Sequence, residues 1–245
     1  MATFVLVHGG WHGGWCWRDV APALRGAGHE VHTPTLTGLG ERAHVLELLG
    51  TKLDLQTHVA DIVGLLEYED LSDAILVGHS YSGMVIAGVG DRVPDRVSQL
   101  IYLDAFVPAD GQSLFDLLAP ERRAQFEDAA REQGEGWRVP PLSPAALGVT
   151  DEAQARWMQA RLTAQPLRTF EQPIALAGEP AATSLPRTYV HCTDSPVASS
   201  FAPFAARFRD SPGWSYHELA TGHDAMLTQP GAVADMLLAS LGTAA

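Results

Sequence analysis

One serine is the side chain best suited to covalent chemistry. It lies between small residues, in a stretch that predicts a strand-to-helix turn. Ser80 lies in the stretch GHSYSG at residues 78–83, which follows the apolar run 74–77 and precedes the apolar run 84–87. A sharp turn of this kind strains the backbone and excludes large side chains two positions either side of the serine. Ser82 stands where the G-x-S-x-G pattern has its last glycine, and serine is small enough to fit there. We therefore predict that Ser80 is a nucleophile on a sharp elbow.

A histidine beyond the last predicted strand can activate that hydroxyl. A serine hydroxyl is a poor nucleophile near neutral pH, so an imidazole must take its proton and a carboxylate must fix the imidazole tautomer. His223 follows the predicted strand 214–219 and is our candidate base. The oxyanion formed by attack needs two preorganised donors, which we expect from the backbone N–H groups of Gly10 and Tyr81.

Two aspartates compete for the carboxylate role. Asp104 directly follows the predicted strand 99–103, and Asp194 directly follows the predicted strand 188–193. Parallel strands end at a common edge of a sheet, so both positions suit a contact with His223. The alternative reading is a loop-bracing carboxylate for Asp104 and a turn residue for Asp194. The residues alone leave the choice open.

The elements that must position these side chains alternate along the chain. Short apolar runs rich in β-branched residues predict buried strands, and apolar residues at helical spacing predict helices between them. The alternation predicts an α/β fold whose mostly parallel sheet has helices on both faces and a ligand site beyond the carboxyl ends of the strands. On the predicted helix 55–69, we expect His58 and Asp61 to lie on the solvent face. The other predicted strands are 4–7, 30–33 and 74–77, and the other predicted helices are 19–27, 82–91 and 231–241.

The alternation stops between residues 107 and 186, which predicts a helical cap inserted into a core formed by residues 1–106 and 187–245. Helix-like stretches at 114–133 and 151–162 are separated by glycine and proline clusters. We expect the aromatic side chains of this segment to pack mainly within the cap itself. They are Phe115, Phe126, Trp137, Trp157 and Phe170.

Composition narrows the function classes. A net charge of -13 and a pI near 5.1 argue against nucleic acid or an anionic membrane surface as partner, and favour a small-molecule substrate. The two cysteines, Cys16 and Cys192, have no metal-site or disulfide spacing, and we expect buried free thiols. No metal or organic cofactor is implied. The first residues lack a basic, apolar leader, so we expect a cytoplasmic protein. The sequence leaves open whether the protein forms a homodimer.

The motifs together resemble one branch of a known superfamily. The runs VHGGWHGGW at 7–15, GHSYSG at 78–83 and GHDAM at 222–226 are similar to those of the hydroxynitrile lyase and plant methylesterase branch of the α/β-hydrolases, and of related bacterial esterases. The resemblance implies that Ser80 and His223 are catalytic, that Gly10 and Tyr81 form the oxyanion hole, and that Trp11 and the cap line the substrate pocket. In hydroxynitrile lyases of this branch a lysine follows the catalytic histidine, whereas this chain has Asp224. The resemblance therefore favours ester hydrolysis over cyanide release.

The resemblance bears on the acid as well. In the plant members the acid follows the strand matching 189–193, and there Ser195 falls on the family aspartate with Asp194 one position early. The position of Asp104 instead resembles the acid of haloalkane dehalogenases and some lactone hydrolases. We favour Asp104, with Asp194 as its rival.

The predicted reaction is hydrolysis of a small or medium carboxylic ester, or a lactone, through an acyl-enzyme on Ser80. A second class is kept because a fold does not fix a reaction. The same scaffold can serve a cofactor-free lyase, cyclase or oxygenase, or a ligand-binding receptor. An intact serine and histidine favour hydrolysis.

Overall fold

A single six-stranded parallel sheet organises the molecule. The computed structural model describes residues 1–177 and 185–241. The strand order is β2-β1-β3-β4-β7-β8, and every neighbouring pair is parallel. A separate antiparallel pair, β5 and β6, lies in the segment between β4 and β7. The strands are β1 (Thr3–Val7), β2 (Glu30–His32), β3 (Ala74–His79), β4 (Val97–Leu103), β5 (Arg138–Val139), β6 (Gln165–Pro166), β7 (Arg187–Cys192) and β8 (Trp214–Leu219).

Helices cover both faces of this sheet, as the α/β pattern predicts. Alternate side chains of β1 point to opposite faces: Phe4 and Leu6 pack in the core that includes α1 and α10, and Val5 and Val7 pack in the core that includes α3, α4 and α8. The helices are α1 (Ala21–Gly26), α2 (His44–Leu49), α3 (Leu55–Tyr68), α4 (Ser82–Arg92), α5 (Pro120–Gln133), α6 (Glu152–Gln159), α7 (Arg168–Glu171), α8 (Ala198–Phe208), α9 (Ala225–Thr228) and α10 (Pro230–Ser240).

The segment between β4 and β7 differs in detail from the prediction. The expected continuous helix 114–133 is a short turn at Phe115–Leu117 followed by α5, which begins at Pro120 because proline suits the first helical position and not the interior. Strands β5 and β6 were not predicted, since two residues are too few to show a period. Part of the predicted cap, residues 178–184, lies outside the described residues.

The prediction for two side chains of α3 is wrong. His58 is buried and Asp61 is half-buried. The Asp61 carboxylate accepts hydrogen bonds from the backbone N–H and hydroxyl of Thr37, at 2.6 and 2.7 Å. These two side chains therefore brace the loop after β2 rather than face solvent.

The two cysteines are free and buried, as predicted. No helix within residues 1–177 and 185–241 combines the length and apolar character needed to cross a bilayer.

Candidate active site

Ser80 occupies the sharp turn between β3 and α4. Its φ is 55°, in the left-handed region that non-glycine residues rarely adopt. The neighbouring backbone is so close that a Cβ at Gly83 would lie 1.9 Å from the carbonyl oxygen of Phe106. Ser82, at the variant position of the motif, is buried and donates its hydroxyl to the carbonyl of His8. The serine in place of glycine is therefore an anchor between the elbow and the loop after β1.

The elbow is fastened to the loop that carries Asp104. The Ser80 N–H donates to Leu103 O at 3.2 Å, and Ser80 O accepts from Phe106 N at 3.1 Å. These two bonds lie on either side of Asp104. These bonds consequently fix the position of the loop after β4 relative to the sharp turn at Ser80.

The carboxylate of Asp104 contacts His223. Oδ2 lies 2.7 Å from His223 Nδ1, while Oδ1 accepts from Cys192 N at 3.2 Å and lies 3.3 Å from His191 Nδ1. Asp104 itself has φ 41° and is fully buried. Burial alone would raise the pKa of this carboxyl, but the hydrogen bonds from His191 and His223 outweigh it and lower the pKa overall. The arrangement is that of an ionised carboxylate fixing an imidazole.

Asp194 lies in the turn that follows β7. Its side chain is exposed, and its Oδ1 accepts from the hydroxyl of Thr193 at 3.2 Å. Its backbone N–H donates to Thr221 O at 3.1 Å. The structure thus places Asp194 as a turn residue beside the His223 loop.

The imidazole of His223 is held between two rings. Phe201 stacks on it with centroids 4.7 Å apart, and His79 lies 4.5 Å away. His79 Nε2 donates to the backbone carbonyl of His223 at 3.0 Å. Burial, followed by the nearby His223, lowers the pKa of His79 to about 3, so its ring is neutral at ordinary pH. This packing restricts the imidazole of His223 to one orientation.

The loop after β1 presents the backbone of Gly10. His8 Nδ1 donates to Gly9 O at 2.8 Å, and its Nε2 accepts from Leu36 N at 3.0 Å. Because the C=O and N–H of a trans peptide point in opposite directions, this bond turns the N–H of Gly10 away from His8. The next N–H, that of Trp11, donates to Gln165 Oε1 at 3.1 Å. Gly10 is therefore the better source of a donor from this loop.

Tyr81 starts the other side of the candidate oxyanion hole. It immediately precedes α4, so its N–H lies at the positive end of an 11-residue helix. Its buried side chain is fixed by His58, whose Nδ1 lies 2.9 Å from the Tyr81 hydroxyl. The sequence offered a signal for this contact, because His58 falls on the same helical stripe as the apolar residues of α3.

One cavity lies between the loop after β1, the turn that carries Ser80 and the loop of His223. Gly10, Ser80, Tyr81 and His223 line it together. Most of the remaining wall is apolar, and Arg122 and Ser200 add polar groups. The apolar wall includes Trp11, Phe106, Phe126, Leu147, Phe170 and Phe201.

The structure revises one expectation about the aromatic residues of the cap. Phe126 and Phe170, expected to pack mainly within the cap, also face the cavity, each in edge or tilted contact with its neighbours. Trp11 lines the cavity as predicted, and its Nε1 donates to Val139 O at 3.0 Å. The binding wall is thus shared between the loop after β1 and the segment between β4 and β7.

One group of side chains has the composition of a metal site. Ligand atoms of His79, His223 and Asp224 lie within 4.8 Å of one another. Each is engaged otherwise: His79 Nε2 with the carbonyl of His223, His223 Nδ1 with Asp104, and Asp224 Oδ2 with His12 Nε2 at 3.0 Å. These hydrogen bonds account for the arrangement, and the expectation that no metal is needed stays a prediction.

Sequence and structural comparisons show which known proteins this chain resembles. The chain matches the alpha/beta hydrolase family over residues 4–236. It is 46% identical to a carbendazim hydrolyzing esterase from Nocardioides sp. (strain SG-4G), over 98% of this chain and 99% of that protein. It is 35% identical to salicylic acid-binding protein 2 of Nicotiana tabacum, over 43% of this chain and 40% of that protein. A solved extracellular alpha/beta-hydrolase from a Paenibacillus species, described as homologous to that tobacco protein, superposes with a TM-score of 0.85 at 26% identity, covering 98% of both chains.

The chain therefore belongs to the alpha/beta hydrolase family. Within it, the esterase relatives make this protein a carboxylic ester hydrolase, and the predicted likeness to plant methylesterases and a bacterial esterase is confirmed.

Proposed function

We propose that Ser80, His223 and Asp104 form the catalytic triad of this esterase. The observation that carries the proposal is the 2.7 Å contact between Asp104 Oδ2 and His223 Nδ1, with His223 and Ser80 lining the same cavity. The contact requires the proton on Nδ1, which leaves Nε2 free to accept the Ser80 proton. Asp194 has no such contact to His223 among the described hydrogen bonds, and we do not assign it a catalytic role.

The reaction then runs in two halves. Ser80 Oγ attacks the ester carbonyl carbon as its proton passes to His223, and the negative oxygen is held by the N–H groups of Gly10 and Tyr81. His223 gives the proton to the departing alcohol, which leaves the acyl group on Ser80. Water attacks this acyl-enzyme with its proton passing to His223, and the acid departs as Ser80 is restored.

The cavity favours a flat aromatic or apolar ester. Rings of Trp11, Phe126 and Phe170 meet at edge or tilted angles with centroids 5.6 to 5.9 Å apart, which forms a wall for an aromatic group. Arg122, whose guanidinium lies 5.9 Å from the centre of the Phe126 ring, can donate a hydrogen bond to a carbonyl oxygen or a ring nitrogen of the substrate. Carbendazim, a flat aromatic methyl carbamate and the compound in the name of the 46% identical relative from Nocardioides, is the substrate we propose to try first.

Acyl-enzyme formation is the test of the triad. With p-nitrophenyl butyrate we expect a burst of nitrophenol of one equivalent per active site, and a fluorophosphonate should label the peptide that contains Ser80. Ser80→Ala should abolish both. Labelling at another serine, with normal turnover in Ser80→Ala, would remove the elbow from the mechanism.

The cofactor-free lyase alternative has a separate test. The position after His223, a lysine in the hydroxynitrile lyases, is Asp224, whose carboxylate is buried against His12 and does not line the cavity. No cation at that position can steady a departing cyanide. We expect no mandelonitrile cleavage, and cyanide release at rates matching ester turnover would reverse the assignment.

Location and assembly stay proposals. The net charge of -13 and the apolar cavity support a small-molecule substrate and no nucleic-acid or anionic membrane partner. We also propose a cytoplasmic location. Size-exclusion chromatography with light scattering would decide between a monomer and a homodimer.

A further inference from the structure

His12 and Asp224 form an ion pair shielded from solvent next to the proposed triad. Their Nε2 and Oδ2 atoms are 3.0 Å apart, and their side chains are 2% and 0% exposed. His12 lies in the loop after β1 that presents Gly10, and Asp224 directly follows His223. The pair therefore joins the loop of the oxyanion donor to the loop of the base.

Both ring nitrogens of His12 face oxygen atoms. Nδ1 lies 2.7 Å from the carbonyl oxygen of Gly10, and Nε2 faces the carboxylate of Asp224. A carbonyl and a carboxylate only accept hydrogen bonds, so both contacts are satisfied when the ring carries two protons. Burial by itself lowers the pKa of His12, but the charge and hydrogen bond of Asp224 raise it overall. The pair is thus an imidazolium and a carboxylate with no net charge.

The bond from His12 fixes the peptide next to the oxyanion donor. The C=O of the Gly10–Trp11 peptide is held by His12, and its N–H is held by Gln165. Trp11 has φ 66°, a left-handed conformation that costs free energy and persists only when the surroundings enforce it. His12 is one of the groups that enforce it, and so fixes the backbone that directly follows the N–H of Gly10.

Asp224 fixes the base from the other side. Its backbone N–H donates to Leu147 O at 3.0 Å, and its Oδ1 lies 3.8 Å from His79 Nε2, the nitrogen that bonds the carbonyl of His223. The carboxylate therefore lies near the His79 ring, which holds the backbone carbonyl of His223.

We propose that His12 and Asp224 are positioning residues whose buried contact sets the distance between the oxyanion donor on Gly10 and the base His223. The inference rests on the proposed function, because it assumes those two roles. Donors misplaced by a fraction of an ångström bind the ground state nearly as before but stabilise the developing oxyanion less. Loss of the contact should therefore appear in kcat and not in KM.

Three variants distinguish the effect of losing the His12–Asp224 contact from the effect of losing the charge on Asp224. Asp224→Leu removes the tie between the loops. Asp224→Asn preserves it, because the introduced amide can donate to Nε2 of a neutral His12, whose Nδ1–H still reaches Gly10 O. The double variant His12→Phe/Asp224→Leu removes both partners without leaving a buried charge unpaired. His32→Phe, which breaks the exposed His32–Glu30 pair of the same 3.0 Å separation, is the matched control.

We expect Asp224→Leu and the double variant to lower kcat for p-nitrophenyl butyrate by about 10- to 100-fold, the range for weakening one oxyanion donor, with KM within about threefold. The Ki of phenylboronic acid, which forms a tetrahedral adduct on the serine, should rise by the same factor as kcat/KM falls. The kcat of Asp224→Asn should stay within about fivefold of the wild-type value. The kcat of His32→Phe should equal the wild-type value.

A double variant that folds, melts at a lower temperature and keeps the wild-type kcat would show that the pair is only structural and would overturn the inference. Should the leucine variants not fold, His12→Gln carries the test, since one amide cannot reach both oxygens, and an unchanged kcat in it would be equally decisive. Failure of the proposed function looks different: the wild type itself would then form no acyl-enzyme at Ser80.

Discussion

The hydroxyl of Tyr81 lies 2.9 Å from Nδ1 of His58, and both groups are buried. His58 Nε2 lies 2.9 Å from the carbonyl oxygen of Thr37 and must donate to it, so Nδ1 of the neutral ring is an acceptor. Burial lowers the pKa of His58, in keeping with a neutral ring. The side chain of Tyr81 is thus an anchor, while its backbone N–H is left for the oxyanion.

Tyr81→Phe separates these two roles. The substitution leaves Nδ1 of His58 buried without a donor, which we expect to lower the free energy of unfolding by about 1–3 kcal/mol. Turnover should stay within about threefold, because the backbone donor is intact. Chemical denaturation and steady-state kinetics measure the two effects. Tyr68→Phe, at a residue 89% exposed, is the control and should change neither. A large loss of turnover with unchanged stability would place the hydroxyl itself in the reaction.

The choice between the two aspartates gives the second prediction. In a serine protease triad, replacing the acid with its amide lowers turnover by about 10⁴ while the geometry is kept. We expect Asp104→Asn to lose several orders of magnitude of kcat with little change in folding. Asp194→Asn, at an exposed turn residue, should lose less than about tenfold, or about 1.4 kcal/mol of barrier. The opposite pattern would give the acid role to Asp194, and two mild variants would point to a Ser-His dyad.

His191 supplies a third prediction, because it shares the carboxylate of Asp104 with the base. Its Nδ1 lies 3.3 Å from Oδ1, and its side chain is 13% exposed. In His191→Phe the oxygen keeps the N–H of Cys192, so the carboxylate stays anchored. We expect kcat to fall by about 3- to 10-fold with KM unchanged, since the activation free energy should rise by no more than about 1.4 kcal/mol. His191→Gln, which can restore a donor, should recover most of the loss. Equal damage in both variants would indicate that the imidazole acts as more than a donor to Asp104.

The sequence was sufficient to predict the sheet, the sharp turn at Ser80 and the position of His223 just past the last strand. These features follow from local patterns, namely short apolar runs, small residues around Ser80, and a histidine just past the last strand. His58 shows where the pattern was read too narrowly. It lies three residues after Leu55 and four before Ile62, on the buried stripe of α3, and its polarity led to the wrong prediction of a solvent face.

The strand pattern alone could not decide between the two candidate acids, for a different reason. Asp104 and Asp194 both follow parallel strands that end at the same edge, so the strand pattern places them alike. What separates them is the loop after β4, which bonds to Ser80 on both sides of Asp104 and turns its carboxylate to His223. Such side-chain directions depend on contacts between segments distant in the chain, which no local pattern records.

Acid sensitivity is the last prediction. His8 and His79 are fully buried, and burial lowers the pKa of each from 6.5 to about 3. Between these two values the unfolded chain binds protons that the folded protein does not, so stability must fall as the pH is lowered. Each histidine contributes about 1.4 kcal/mol per pH unit in this window. The ionised Asp104 and Asp224, whose pKa values are lowered, act in the same direction at still lower pH, since folding then loses their hydrogen-bonded charges.

We therefore expect urea denaturation to show a free energy of unfolding that decreases by roughly 1–3 kcal/mol for each pH unit between 6 and 4. His79→Gln retains a donor for the carbonyl of His223 and removes one titrating group, so the slope should fall by up to about 1.4 kcal/mol per pH unit. The slope is measured from midpoints at constant m-value, which excludes a change in the extent of unfolding. A free energy of unfolding that stays constant from pH 6 to 4 would mean that the unfolded and folded chains bind equal numbers of protons, and that the two histidines open to solvent before the protein unfolds.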